Sequence, residues 1–323
     1  MFAQDNLADV PDEPLATRVP PECFYLRYGA FENYLWFLDL VNEYGGDISR
    51  MITLRGIENL GTARVEKQLN ASTTELSRML GPTVIEDQAI IGRDLFVNEG
   101  ASLGVLFKAK NAFLLRTALK NDRSKAAGAN SSLTLKDLKI AGRPVSFLSS
   151  SDNQVRSYLA EDGEFFLVTN SRTIVKRFFE VSETGESLAT TPAFQLSRQL
   201  MPLEREDTVF AYFSPAMLRG LVSPEYLIEL RRRLYAKSDV ALVHLASLAS
   251  AQEMSSAAGP QLGIEDLIQS GFLPAGFGRR PDGSGAIRVG DQVMDTLRGA
   301  RHTFLPIADV KIDAVTALSL IHI

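Results

Sequence analysis

An α+β fold, with antiparallel sheets covered by helices in repeated strand–helix units, is the architecture this 323-residue sequence predicts. Two observations carry that expectation. An apolar strand, a short polar stop and an amphipathic helix follow one another four times along the chain. Between these units lie alternating segments joined by tight-turn residues, the signature of antiparallel hairpins rather than of a doubly wound parallel sheet.

The first unit is the strand Cys23 to Tyr28, the stop at Gly29 and a helix from Phe31 to Tyr44, closed by Gly45-Gly46. The spacing of Phe31, Leu35, Leu38 and Val41 gives that helix one apolar face. Thr62 to Leu80 reads as a single helix ended by Gly81-Pro82, and Val84 to Asn98 as two short strands with a turn at Gly92-Arg93-Asp94. The second unit joins the strand Val105 to Lys110 to a helix from Ala112 to about Lys125, with Asn111 placed to cap it. Leu133 to Tyr158 follows as a meander, turning at Ala141-Gly142 and near Ser151-Asp152-Asn153. Asp162-Gly163 then predicts a hairpin leading into the third unit, with strand Phe165 to Thr169, cap Ser171 and helix Arg172 to Val181. The fourth unit is the strand Thr208 to Phe213, the Ser214 cap and a helix opened by Pro215. Helices are expected to cover one face of the sheet, and Phe24, Leu26, Leu106, Phe166, Val168, Phe210 and Tyr212 to be largely buried.

The last third has a different texture. Pro224 to about Met254 is helical, Ser255 to Gly259 reads as a loop and Ile264 to Gln269 as a short helix. The glycine-rich stretch Gly276 to Gly285 must be a loop, with Asp282-Gly283 at a surface tip, and Ala286 to Val315 reads as short extended pieces. The expected organisation is a polar segment over 1–19, a first α+β domain over 20–205, a second and truncated α+β unit over 206–316, and a non-native tail over 317–323. The tail expectation rests on Leu318-Ser319-Leu320-Ile321-His322-Ile323, which matches one reading frame of a transposon-end sequencing adapter. The natural chain is therefore expected to continue beyond Thr316. The first residues show no signal peptide.

Composition narrows the function classes. With 34 Lys and Arg against 39 Asp and Glu, the net charge of −5 disfavours a non-specific nucleic-acid binder. No apolar run reaches the roughly 18–20 residues of a membrane span. One cysteine, Cys23, leaves no disulfide framework and reads as a small buried hydrophobe. Neither a metal-ligand spacing nor a cofactor motif occurs, so no metal, cofactor or catalytic residue is assigned.

Three constellations invite a chemical reading. Gly100-Ala101-Ser102-Leu103-Gly104 matches G-x-S-x-G, but the nucleophile elbow needs a helix after the serine and a strand is predicted there. Ser102 is accordingly expected not to be a nucleophile. Arg231-Arg232-Arg233 has Glu225 and Glu229 within helical reach, which suits ion pairing on an exposed face. Arg279, Arg280, Arg288, Arg298 and Arg301 make the C-terminal third locally basic and form a candidate anion-binding or partner-binding face. Trp36, among Tyr34, Leu35 and Phe37, reads as a core or interface packing residue.

Gly163 to Phe213, with its Phe165-Phe166-Leu167-Val168-Thr169-Asn170-Ser171 strand and the Gly185 to Phe194 segment before the next helix, resembles a bacterial protein family of unknown function. Many members of that family are exported or membrane-anchored. Arg298-Gly299-Ala300-Arg301 and Thr303-Phe304-Leu305-Pro306-Ile307 are similar to a planctomycete-type branch of it. The resemblance spans roughly 20–316 and implies an exported or cell-envelope setting, with no catalytic residues to carry over. The expected function is a non-enzymatic protein acting through binding surfaces, its partner a protein or envelope component. A hydrolase and an intracellular scaffold are the alternatives.

Overall fold

A computed structural model describes residues 13–40, 43, 61–71, 75–96, 100–205, 209–253, 262–278, 280 and 282–312. The fold is α+β, with an eight-stranded antiparallel sheet, a three-stranded antiparallel sheet and, among the described residues, nine helices. The chain divides into two compact units: residues 1–97 with 101–222, and residues 98–100 with 223–323.

The first unit holds strands β1 (Phe24–Arg27), β2 (Ile85–Gly92), β3 (Leu103–Ala109), β4 (Leu133–Ile140), β5 (Arg143–Ser150), β6 (Arg156–Asp162), β7 (Phe165–Thr169) and β8 (Phe210–Phe213). Their order across the sheet is β4-β5-β6-β7-β3-β2-β1-β8. The meander is as its turns predict: Ala141 and Gly142 both take positive φ between β4 and β5, and Gly163 does so between β6 and β7. Its helices are α1 (Phe31–Leu40), α2 (Gly61–Leu69), α3 (Glu75–Val84), α4 (Ala112–Ala129), α5 (Arg172–Thr184), α6 (Pro192–Leu200) and α7 (Pro215–Leu221). Asn111, Ser171 and Ser214 each accept the amide hydrogen three residues on, as the sequence predicts of helix caps.

Three local expectations are corrected. The stretch 62–80 is not one helix: α2 ends at Leu69, Asn70 takes φ 51°, and α3 begins by Glu75. Gly81-Pro82 lies inside α3, which ends two residues later. The Pro82 carbonyl accepts from Lys110 Nζ, and the Val84 carbonyl from the Lys110 amide. Among the described residues, the stretch expected to hold two short strands supplies one long strand, β2, because both its edges pair, with β1 and with β3. The chain then leaves the sheet, and buried Asp94 accepts from the amides of Phe96 and Ser102.

Helices cover both faces of this sheet, not one. Phe31 of α1, Leu69 of α2 and Leu115 of α4 pack with Ile85, Ala109, Leu159, Phe166 and Val168. Ile174, Val175, Phe178 and Phe179 of α5 and Phe194 of α6 pack with Tyr25, Ile91, Leu106 and Leu167 on the other side. That is why all five residues of β7 are buried and the strand reads as a continuous apolar run. Of the seven residues expected in the core, five are buried; Leu26 and Tyr212 are half-buried.

The expected organisation also shifts. Glu13, Leu15, Ala16 and Val19 are buried, so the described part of 1–19 is core of the first unit, not a separate polar segment. The boundary falls after Val222 instead of 205, because β8 pairs with β1 and closes one edge of the large sheet. The first helix's end, Gly45-Gly46, the 255–259 loop and the 317–323 tail lie outside the described residues.

The second unit contains α8 (Pro224–Glu253), α9 (Ile264–Gln269) and a small sheet, β9 (Ala286–Val289), β10 (Gln292–Asp295) and β11 (Gly299–Ala300), in the order β11-β10-β9. Val243 and Ala246 of α8 meet Leu267 and Leu273 in its core, with Phe277, Ala286 and Val293 packed around them.

Candidate functional site

The arginines of the proposed basic face are placed very differently from one another. Arg298 is fully buried. Its guanidinium donates to both Glu229 carboxylate oxygens at 2.8 and 2.9 Å, to Asp282 at 2.7 Å and to the Ser284 hydroxyl at 2.9 Å. Its own backbone amide donates to Asp295. Arg280 donates to Asp239 at 2.7 Å and also pairs with Asp295. Arg288 donates to Ser247 on α8 at 2.6 Å, Arg301 is exposed, and Arg279 lies outside the described residues. Two of the four described arginines therefore point inward, because the unit's carboxylates surround them there. Gly283 is exposed at the expected tip of the glycine loop, with φ 74°, but the side chains of Asp282 and Ser284 beside it turn inward and serve this network.

The second correction concerns the arginine run on α8. Arg233 and Glu229 do pair at i,i+4 spacing, at 2.9 Å, but both side chains are fully buried rather than exposed. Glu229 thus receives Arg233 and Arg298 together. For Asp282, burial favours the neutral acid, yet hydrogen bonds from Ser284 and Arg298 outweigh it and hold the carboxyl at about 2. This is a charge-balanced internal staple joining α8 to the 282–298 segment.

A comparable network ties the first unit together. Glu13 accepts from the Tyr25 hydroxyl at 2.7 Å and from Arg198 of α6 at 2.6 and 2.8 Å, in a bidentate fork. Arg198 also lies 3.5 Å above the Phe210 ring. Arg27 bridges Glu13, at 3.2 Å, to Asp87, at 2.6 Å. Burial pushes the Asp87 carboxyl up to about 6, against the pull of Arg27. None of the charged residues of this network was singled out from the sequence; Glu13 beside Asp12, Asp87 beside Glu86 and Arg198 lie far apart along the chain and meet only through the fold.

Ser102 has no nucleophile geometry. It is fully buried, its amide rather than its hydroxyl meets Asp94, and β3 follows it immediately. All three histidines of the sequence lie at or beyond position 244, so the first unit has none. Cys23 is buried, and that burial raises its thiol far above the ordinary range. Trp36, read as a core or interface residue, is more than half exposed on α1 and so is not a core residue. Among the described residues, no group of three or more His, Cys, Asp or Glu side chains is placed to hold a metal ion, and no helix is long and apolar enough to cross a membrane.

The most unusual surface is on α8. One side of this helix, with Ile228, Ala236, Val240, Val243 and Ala246, is buried. The opposite side carries Leu234, Tyr235, Leu242, Leu245 and Leu248, exposed by 53, 54, 45, 60 and 57%. A helix that is apolar on both sides calls for a second covering surface. The sequence reading of 224–254 as a helix did not single out these leucines, and which of the two apolar sides the protein itself covers is decided by its tertiary structure.

No protein-family model, no curated protein and no solved structure matches this chain.

Proposed function

We propose that this chain is a non-enzymatic protein that acts through a binding surface, in an exported or cell-envelope setting. The observation that carries the reading is the outward apolar row of α8. Five large apolar side chains on one side of a 30-residue helix expose on the order of 500 Å², near the upper limit for the surface of a monomeric protein. Patches of that size mark interaction sites. The setting is supported only by the resemblance of Gly163 to Phe213 and of the 298–307 segment to an exported bacterial family.

Hydroxyl-radical footprinting of the purified chain, diluted to its monomer, tests this reading. Leu234, Tyr235, Leu242, Leu245 and Leu248 are expected to oxidise faster than Val243 or Leu267. Protection of all five in the monomer overturns the surface reading. A stoichiometric adduct of Ser102 with a fluorophosphonate probe overturns it in favour of a hydrolase.

A further inference from the structure

We propose that the partner of the α8 surface is a second copy of this chain, bound through an antiparallel, two-fold crossing of α8 on α8. The proposal rests on the surface reading above and names its occupant. Three features of the helix support it.

The first is the order of side-chain sizes along the exposed side. Leu234 and Tyr235 stand at one end, Leu245 and Leu248 at the other; between them lie exposed Ser238 and half-buried Ala241 along the middle, with Leu242 at the side of the row. A two-fold interface must be complementary to itself. An antiparallel crossing at Ala241 sets Leu234 of one copy beside Leu248 of the other, and the small centre lets the two backbones approach. Leu234 and Leu248 are separated by about 21 Å of helix, four turns of continuous contact.

The second is charge. Arg231 and Lys237 lie in the N-terminal half of α8 away from its buried side, whereas residues 238–253 contain no lysine or arginine and end at exposed Glu253. Parallel pairing would set the basic half of one copy against the basic half of the other. Antiparallel pairing sets it against Glu253 and the negative end of the helix dipole. Arg231 already lies along the edge of the row, over the Tyr235 ring, as a polar rim would.

The third is area. A stable interface of standard size takes about 800 Å² from each partner. The apolar row supplies roughly 500 Å² of that, and the exposed residues Arg231, Ser238, Ala249 and Gln252 beside it provide a rim of the size that remains.

Light scattering of the full chain after size exclusion, across a wide range of concentration, is expected to show twice the monomer mass at the upper end. Leu245→Asp is expected to remain monomeric there with an unchanged circular dichroism spectrum, since residue 245 faces outward. Cysteine cross-linking then fixes the geometry, because the single native Cys23 is buried. Under mild oxidation, Ala241→Cys is expected to form a covalent dimer. Leu248→Cys alone should not, but should cross-link when mixed with Leu234→Cys. Self-cross-linking of Leu248→Cys means a parallel pair and overturns the proposal. So does a chain that is monomeric at every concentration. If that monomer has its leucines open to oxidation, the binding-surface reading survives and only the second copy is excluded; if they are protected, both fail.

Discussion

Asp87 lies on β2 with Oδ2 2.6 Å from Arg27 and Oδ1 buried without a hydrogen bond. Its carboxyl titrates near 6 in the folded chain, whereas an unfolded aspartate titrates near about 3.9. The folded state therefore holds this proton more tightly. Its contribution to stability is full below about pH 4 and is lost as pH rises through about 6. Relative to Asp87→Asn, which cannot titrate, the wild-type chain should lose about 2–3 kcal/mol between pH 4 and pH 7. Urea melts of both proteins at each pH measure this, and a flat difference would show that the carboxyl titrates normally. The arginines give a second contrast. Replacing Arg298 by Met leaves Glu229, Asp282 and Asp295 without their shared cation, and removing one partner from such a buried group costs about 3–5 kcal/mol. Replacing exposed Arg301 by Met should change stability by about 0.5 kcal/mol or less. Equal effects in denaturant melts would mean that the buried network contributes no more than a surface charge does.

At the scale of single elements, the strand–helix junctions can be tested one by one. Ser171 is buried and caps α5 by accepting from the Ile174 amide at 3.3 Å; Asn111 is exposed and caps α4 by accepting from Leu114 at 3.1 Å. Ser171→Ala should cost about 1–2 kcal/mol, because the orphaned amide has no water to turn to; Asn111→Ala should cost about 0.5–1 kcal/mol. The reverse order in chemical denaturation would contradict the burial argument. Gly104 makes a different demand. A Cβ there would lie 2.8 Å from Thr169 Cβ and 3.0 Å from the Val168 carbonyl, on the paired strand β7. Gly104→Ala must push β3 and β7 apart in the middle of the sheet, so a loss of about 1–3 kcal/mol is expected. Caps and hairpin turns were legible in the sequence because each acts within a few residues. The break between α2 and α3 was not, since Asn70 is an unremarkable helix residue until its left-handed conformation is seen.

For the whole molecule, the boundary after Val222 has a direct consequence. β8 covers the edge of β1, and Phe210 is buried beneath Arg198 in the aromatic group of Tyr25 and Phe194. A chain ending at Arg205 loses that strand and leaves β1 as a bare edge, whereas one ending at Val222 keeps it. The longer fragment should unfold cooperatively and exceed the shorter by about 3–5 kcal/mol, the cost of deleting one large buried aromatic. Thermal melts that superimpose would place the boundary back at 205.

The sequence by itself determined what is local in this protein. Periodicity marked the strands and most helices, Asp162-Gly163 and Ala141-Gly142 set two hairpins, and Asn111, Ser171 and Ser214 fixed where helices begin. These signals were readable because turn and cap chemistry depends on neighbours within three or four positions. Tertiary structure alone decided which faces are inside. It buried Glu229, Arg233 and Arg298 together although 69 positions separate Glu229 from Arg298, and joined Glu13 to Arg198 across 185. A charged residue normally stays in water, so a lone arginine in a sequence reads as surface. Only when the fold brings carboxylates within hydrogen-bond distance does burial become tolerable. Tertiary structure likewise divides the two apolar sides of α8: the second unit's own core covers Val243 and Ala246 and leaves Leu242, Leu245 and Leu248 outside.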